Sequence, residues 1–285
     1  MSYQRRKLEI EFTLAEGTFD EQSGNILTVS EMKCELSIAA FGGVTGTTME
    51  MRLYGLSLDY MAKLTGKSQN WLGQKLNLVK VKANDEVIFI GTIAASRINL
   101  NLMPDAPIEI TANALGYERS IPCSPTSVKG ITNVASIVES IAKRVGLKFV
   151  NVDVTAKAEN AHYRGNAIEQ INAIANDYDF FCEVNMGTLT IATSQKKLDE
   201  LILHVSPSNG LIGYPTFINF GINFTCMFSS AITIWRYINL ESSLPNASGI
   251  YQVQNGTTHY LSSWVEGGPW FTMVVAVPVA NLGVN

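Results

Sequence analysis

With 285 residues, 46% of them apolar, the chain is long enough for two domains or three and too apolar to be disordered. Charged residues make up only 16%, below the roughly 25% of an ordinary soluble protein, so either the interior is unusually large or partners cover much of the surface, and the second reading fits an oligomer. A net charge of −4 gives no broad basic field for gripping nucleic acid.

Taken in chain order, the first 120 residues read mostly as strands. Leu8, Ile10, Phe12 and Leu14 alternate with Glu9, Glu11 and Thr13, the pattern of a half-buried strand. Residues 31–40 alternate through Met32, Cys34, Leu36 and Ile38, and Met49, Met51 and Leu53 repeat the pattern after Gly42-Gly43. Further strands are predicted at 76–83, 86–93, 96–102 and 108–116, with Asn84-Asp85 as a hairpin turn. One short helix interrupts them: Ser57 is a good N-cap, Leu58, Met61 and Ala62 share a face, and Gly66 ends it. An antiparallel barrel or sandwich with one inserted helix follows.

Two prolines in Ile121-Pro122-Cys123-Ser124-Pro125 mark a linker. Beyond it the period becomes helical. Thr132 is the predicted cap of a helix with Val134, Ile137, Val138, Ile141, Ala142 and Val145 on its buried face; Gly146 is its left-handed end, with Leu147 folding back. A second helix spans about 166–176, and strands at 180–184 and 188–192 form a hairpin around Asn185-Met186-Gly187. From Leu201 onward turn residues recur at short intervals and the chain is β-rich again. The expected fold class is α+β, mainly β: two β-barrel-like domains, residues 1–120 and 199–285, flanking an α+β module of two helices and a hairpin, residues 121–198.

The residues offer little chemistry. His162, His204 and His259 lack metal-site spacing, and Cys34, Cys123, Cys182 and Cys226 lack a CxxC pair, which predicts buried free thiols. There is no nucleophile elbow or dinucleotide fingerprint, and the run from Gly42 to Gly46 lacks the lysine and helix of a phosphate loop. Asp177, Asp179 and Glu183 lie close in sequence, but a glycosidase pair must face across a cleft. No catalytic residue, cofactor or metal is therefore expected. Glu9 and Glu11 interrupt the segment where a secretory signal would run after Arg5-Arg6-Lys7, and no window supplies the ~20 apolar residues of a membrane helix; synthesis in a cytoplasm without stable membrane insertion is the expectation. Trp235, Trp264 and Trp270 fall in the last third, and the stretch from Trp270 to Val277 is nearly all apolar, so it needs burial in a barrel or against another subunit. Arg5, Arg6, Lys7, Trp264, Trp270, Phe271, Val274 and Val277 are the candidate contact residues.

An ordered series of segments carries a family resemblance. It comprises Ser206-Pro207-Ser208-Asn209-Gly210-Leu211-Ile212-Gly213-Tyr214-Pro215-Thr216, then Gly221-Ile222-Asn223-Phe224-Thr225, Leu240-Glu241-Ser242-Ser243-Leu244-Pro245-Asn246 and Gly267-Gly268-Pro269-Trp270-Phe271-Thr272. Upstream, Leu53-Tyr54-Gly55-Leu56-Ser57, Val87-Ile88-Phe89-Ile90-Gly91-Thr92-Ile93 and Tyr163-Arg164-Gly165-Asn166 agree. Over nearly its whole length the chain resembles phage tail baseplate hub proteins; Trp235-Arg236-Tyr237 departs from them where relatives carry a small turn residue. The resemblance implies a homotrimer whose two similar barrel domains per subunit make a near six-fold ring. Such a ring joins the tail tube or distal tail protein to a central spike or fibre, meets the tape measure protein, and passes DNA through its lumen without binding it. It also implies a place in the virion tail. The hub of a tailocin or type VI-like injection machine is the nearest alternative, and a carbohydrate-binding or cell-wall-degrading tail module is an alternative of a different class.

Overall fold

The computed structural model describes residues 6–20, 24–42, 46–65, 76–193 and 200–279. The chain divides into two compact units: the first holds residues 1–39, 48–117 and 259–270, the second residues 40–47, 118–258 and 271–285. The fold is α+β and mainly β.

The early elements are β1 (Leu8–Thr13), β2 (Ile26–Ser30), β3 (Cys34–Ala40), β4 (Thr47–Leu53), α1 (Leu58–Leu64), β5 (Leu78–Ala83), β6 (Glu86–Ile98), β7 (Ile108–Asn113) and α2 (Gly116–Ser120). Their strands follow the order β3-β4-β7-β6-β5-β1-β2. Alternation decides the faces: Leu8, Ile10 and Phe12 are buried, while Glu9 and Glu11 point the other way and meet Lys82 at 2.6 Å and Lys80 at 3.5 Å on β5. Ser57 caps α1 by accepting the Tyr60 amide proton, as its position predicted. The expected stop at Gly66 lies outside the described residues; Thr65, in an extended conformation, is the C-cap.

Two predicted strands, 86–93 and 96–102, are one strand, β6, followed by a 3₁₀ turn at Leu100–Leu102. β5 pairs with Glu86 to Thr92 and β7 with Thr92 to Ile98, and a register shift between Ile93 and Ala95 lets the strand bend without ending. The strand expected over 108–116 stops at Asn113, whose side chain takes the Leu115 amide proton and turns the backbone into α2. β2 was not among the strands expected from the alternation of residues.

The second unit begins with β8 (Thr126–Ser127), β9 (Ile131–Asn133), α3 (Val134–Arg144), β10 (Lys148–Asn151), β11 (Lys157–Glu159), β12 (His162–Tyr163), α4 (Ala167–Asp177), β13 (Phe181–Asn185) and β14 (Thr188–Ala192). The cap of α3 is Asn133, not Thr132, because Thr132 is drawn into β9 opposite Ala158. At the other end Gly146 has φ +80° and Leu147 donates back to the Ala142 carbonyl at 3.0 Å, as expected. Asn166 and Glu169 form a reciprocal capping box on α4. Beside it Gln170 is fully buried, accepting from Thr126 Oγ1 at 2.5 Å and donating to the carbonyls of Ser124 and Gly165. The predicted hairpin β13–β14 is present, and β10 adds to β14 in parallel, a pairing that the long connection through α4 makes possible.

The remaining strands are β15 (Ile202–Val205), β16 (Leu211–Ile218), β17 (Gly221–Met227), β18 (Tyr237–Leu240), β19 (Gly249–Ser263) and β20 (Trp270–Pro278). They are ordered β16-β17-β20-β19, with β18 against β19 and β15 parallel to β18. Ile222, Phe224, Cys226, Ile238, Val253 and Val274 form the centre of one core. Trp235, where the chain departs from the resembled family, sits at φ +65°, and its amide bonds to Val253 O at 2.6 Å while its carbonyl accepts from Gln252. A bulky residue in that region is strained, and these two bonds hold it there.

Candidate interface site

Hairpin turns of the first unit gather the site residues that the sequence scattered. The β5–β6 turn is Asn84-Asp85 with φ of 50° and 70°, a two-residue turn of the primed kind. It reaches back to the start of β1: the Lys7 amide donates to Asn84 Oδ1 at 3.1 Å, the Asn84 amide to Lys7 O at 2.9 Å, and Lys7 Nζ to Asp85 at 3.0 Å. The Asp85 carboxylate holds the Lys7 ammonium above its ordinary range.

Opposite lies the β19–β20 turn. Its Gly268 is required by space, since a Cβ there would meet Ser262 Oγ at 2.3 Å. Arg6 donates to the Gly268 carbonyl at 3.1 Å and sets its guanidinium 5.8 Å from the centre of the Trp270 ring. Trp264 stands at φ +55° with 63% of its surface exposed. Arg6, Lys7, Glu31, Asn84, Asp85 and Trp264 line one cavity of about 290 Å³.

Of the eight contact candidates, the structure therefore brings Arg6, Lys7 and Trp264 together, with Trp270 beneath Arg6. Val274 is fully buried and Trp270 nearly so, while Phe271 and Val277 are half-buried. Arg5 lies outside the described residues. Glu31, Asn84 and Asp85 were missed as site residues because turn geometry, not composition, places them; the Asn84-Asp85 pair was the available signal.

A second surface is a sheet face of the same unit. Glu35, Glu50, Arg52, Arg97, Glu109 and Thr111 border a shallow groove of about 420 Å³. Arg52 donates to Glu109 at 3.2 Å and Arg97 approaches the same carboxylate at 3.8 Å.

Elsewhere the titratable groups are set for structure. Burial pushes the thiols of Cys34, Cys182 and Cys226 up to about 12, which leaves them un-ionised and poor nucleophiles; Cys123 is half-buried and also free. Burial alone pushes Glu183 up to about 8 and His259 down to about 4, so both are neutral at pH 7. Asp177 accepts a hydrogen bond from Tyr163 at 2.9 Å. Among the described residues no group of three or more His, Cys, Asp or Glu could hold a metal ion, and no helix is long and apolar enough to cross a membrane.

The family model described as baseplate hub gp41 matches residues 66–259. No curated protein matches the chain by sequence. By fold, the chain is similar to the 43 kDa tail protein of prophage MuSo2 from Shewanella oneidensis, at 10% identity and a TM-score of 0.66 over 96% of this chain and 98% of that one. It is similar to a tail protein from Neisseria meningitidis MC58, at 9% identity and a TM-score of 0.65 over 95% and 96%. The c3393 protein of E. coli, a type VI secretion component described as similar to the T4 tail proteins gp27 and gp5, shares 9% identity with a TM-score of 0.63 over 87% and 73%.

Proposed function

The chain belongs to the baseplate hub gp41 family, and from that premise we propose that it is a structural, non-enzymatic hub of a phage tail, built into the virion as a homotrimer. In this reading residues 1–120 and 199–285 act as two barrel-like tube domains flanking the module of residues 121–198. Three chains then give six similar positions around a channel, which match the tail tube or distal tail protein on one side. The central spike or fibre sits on the other, the tape measure protein is a further contact, and DNA passes through the lumen. The observation that carries it is the family match across residues 66–259.

Physical features support the reading. In chain order, the strands up to Asn113 and those from Ile202 onward are separated by a segment that holds the helices α3 and α4. The charged face around Glu35, Glu50, Arg52, Arg97 and Glu109 suits a channel wall: three acids against two bases attract no polyanion. The rim that joins Arg6, Lys7 and Trp264 is the surface we assign to the neighbour above or below the ring. The fold likeness to a type VI component over 87% of the chain favours, as a second reading, the hub of another contractile injection machine.

Light scattering of the purified chain, with negative-stain images of the same sample, tests the proposal. A trimeric ring with an open centre is the expected result. A monomer at every concentration would overturn the self-assembling ring.

A further inference from the structure

Each unit has a strand edge that no described strand covers. In the second unit β16 pairs with β17, and among the described residues no strand lies on its far side. The hairpin from Leu211 to Met227 contains no Asp, Glu, Lys or Arg. It nevertheless exposes large apolar side chains: Tyr214 at 74%, Phe217 at 52% and Phe220 at 78%, with Ile212, Ile218 and Met227 also exposed. Three aromatics and three aliphatics at these exposures present on the order of 600 Å², against about 800 Å² per partner in a standard protein interface. Charged residues are the usual guard of such an edge, and here Pro215, inside the register shift between Ile212 and Thr216, is the one guard present. Among the described residues no second strand pairs with Thr216 to Ile218.

In the first unit the bare edge belongs to β6. β5 covers it as far as Thr92 and Asn77 accepts from the Ile93 amide at 2.8 Å, and among the described residues no strand covers Ala94 to Ile98 on that side. Ala94, Ala95 and Arg97 are exposed there. Immediately beyond, Leu100, Leu102 and Met103 stand 50–60% exposed. This segment also carries one charge only, Arg97.

We propose that these two edges are the two halves of one contact between copies of this chain: the β16–β17 hairpin of one copy docks on Ala94 to Met103 of the next. The occupant is a second copy because the chain supplies both halves, one on each unit, and a single head-to-tail contact covers both apolar surfaces. A head-to-tail contact between unlike surfaces generates a ring when the rotation closes. The proposal rests on the hub reading for its closure and assigns the residues that reading leaves open. Strand addition at Thr216 to Ile218 supplies direction, and Phe217, Phe220, Leu102 and Met103 supply the apolar area.

Two surface variants test it. Phe217→Asp with Phe220→Asp ruins the hairpin half, and Leu102→Asp with Met103→Asp ruins the β6 half. All four side chains are exposed, so each variant keeps the circular dichroism and melting of a folded chain. Light scattering reads the outcome: each variant alone falls to the mass of one chain. An equimolar mixture gives a species of twice that mass and no larger, because each variant keeps the half that the other lacks. A wild-type ring that survives both variants overturns the assigned contact and leaves the ring reading standing. Loss of assembly in the hairpin variant alone, with no recovery on mixing, shows a like-on-like contact and overturns the head-to-tail assignment. A wild type that is monomeric at every concentration overturns both.

Discussion

The two units clothe similar β-rich interiors differently. The first wears ion pairs: Glu9 with Lys82, Glu11 with Lys80, Lys7 with Asp85, Lys33 with Asp105 and Arg52 with Glu109. The second has an uncharged hairpin whose aromatic side chains face outward. Strands with their outer faces charged can remain in water, whereas an apolar edge without charged guards needs cover. The same alternation that builds a sheet therefore decides, through the residues at its outward positions, whether that sheet ends an assembly or continues it. The two interiors differ as well: besides its thiols, the first holds a base neutral by burial, His259, and the second an acid, Glu183.

The sharpest way to separate the units is through Glu183. Its folded value of about 8 stands above the ordinary 4.5, so the unfolded chain loses the proton first as pH rises. Stability is then lost between about pH 4.5 and 8, and a Glu183→Gln variant should exceed wild type by roughly 2–4 kcal/mol at pH 8 and by nothing at pH 4. Urea denaturation at the two pH values measures this, and an equal gain at both would mean that Glu183 is ionised in the fold.

His259 tests the first unit from the acid side. Burial holds it at about 4 against 6.5, so the unfolded chain takes up the proton first as pH falls. The first unit should lose up to about 3 kcal/mol between pH 6.5 and 4. Hydrogen exchange reads the units separately: amides of β1 and β5 should lose protection at pH 4 while those of α3 and α4 keep theirs. Equal loss in both would erase the contrast.

The smallest effect concerns the ionic surface itself. Lys80→Ala should leave the unfolding midpoint unchanged, because exposed pairs are weak and screened by salt. Raising salt to 1 M should likewise leave assembly intact, since the contact residues carry almost no charge. Dissociation by salt would instead put the ion pairs in the interface.

Much of this was legible in the sequence where a pattern was local. The alternation of β1, the face of α3, the Gly146 stop and the start of α4 near Asn166 all follow from residues within one turn or one strand. Failures came where a distant partner decided. Thr132 reads as a cap until β11 recruits it into a strand, and residues 93–96 read as a break until β7 shows that β6 runs on with a bulge. The site was half legible: Arg6, Lys7 and Trp264 stood out by type, but their meeting depends on pairings across more than 250 residues. The hairpin from Leu211 to Met227 was read for its turn residues, although its lack of charge was already visible.

One consequence follows from the path of the chain between the units. The first unit needs residues 259–270, yet all of residues 118–258 come off the ribosome before them. At 5–20 residues per second that delay is roughly seven to thirty seconds. During it the early strands wait without the β19–β20 turn, and Arg6 and Lys7 without Trp264 beside them. A chain truncated before residue 259 would carry an unfinished first unit, so the fold distinguishes chains that hold residues 259–270 from shorter ones before any neighbour is met.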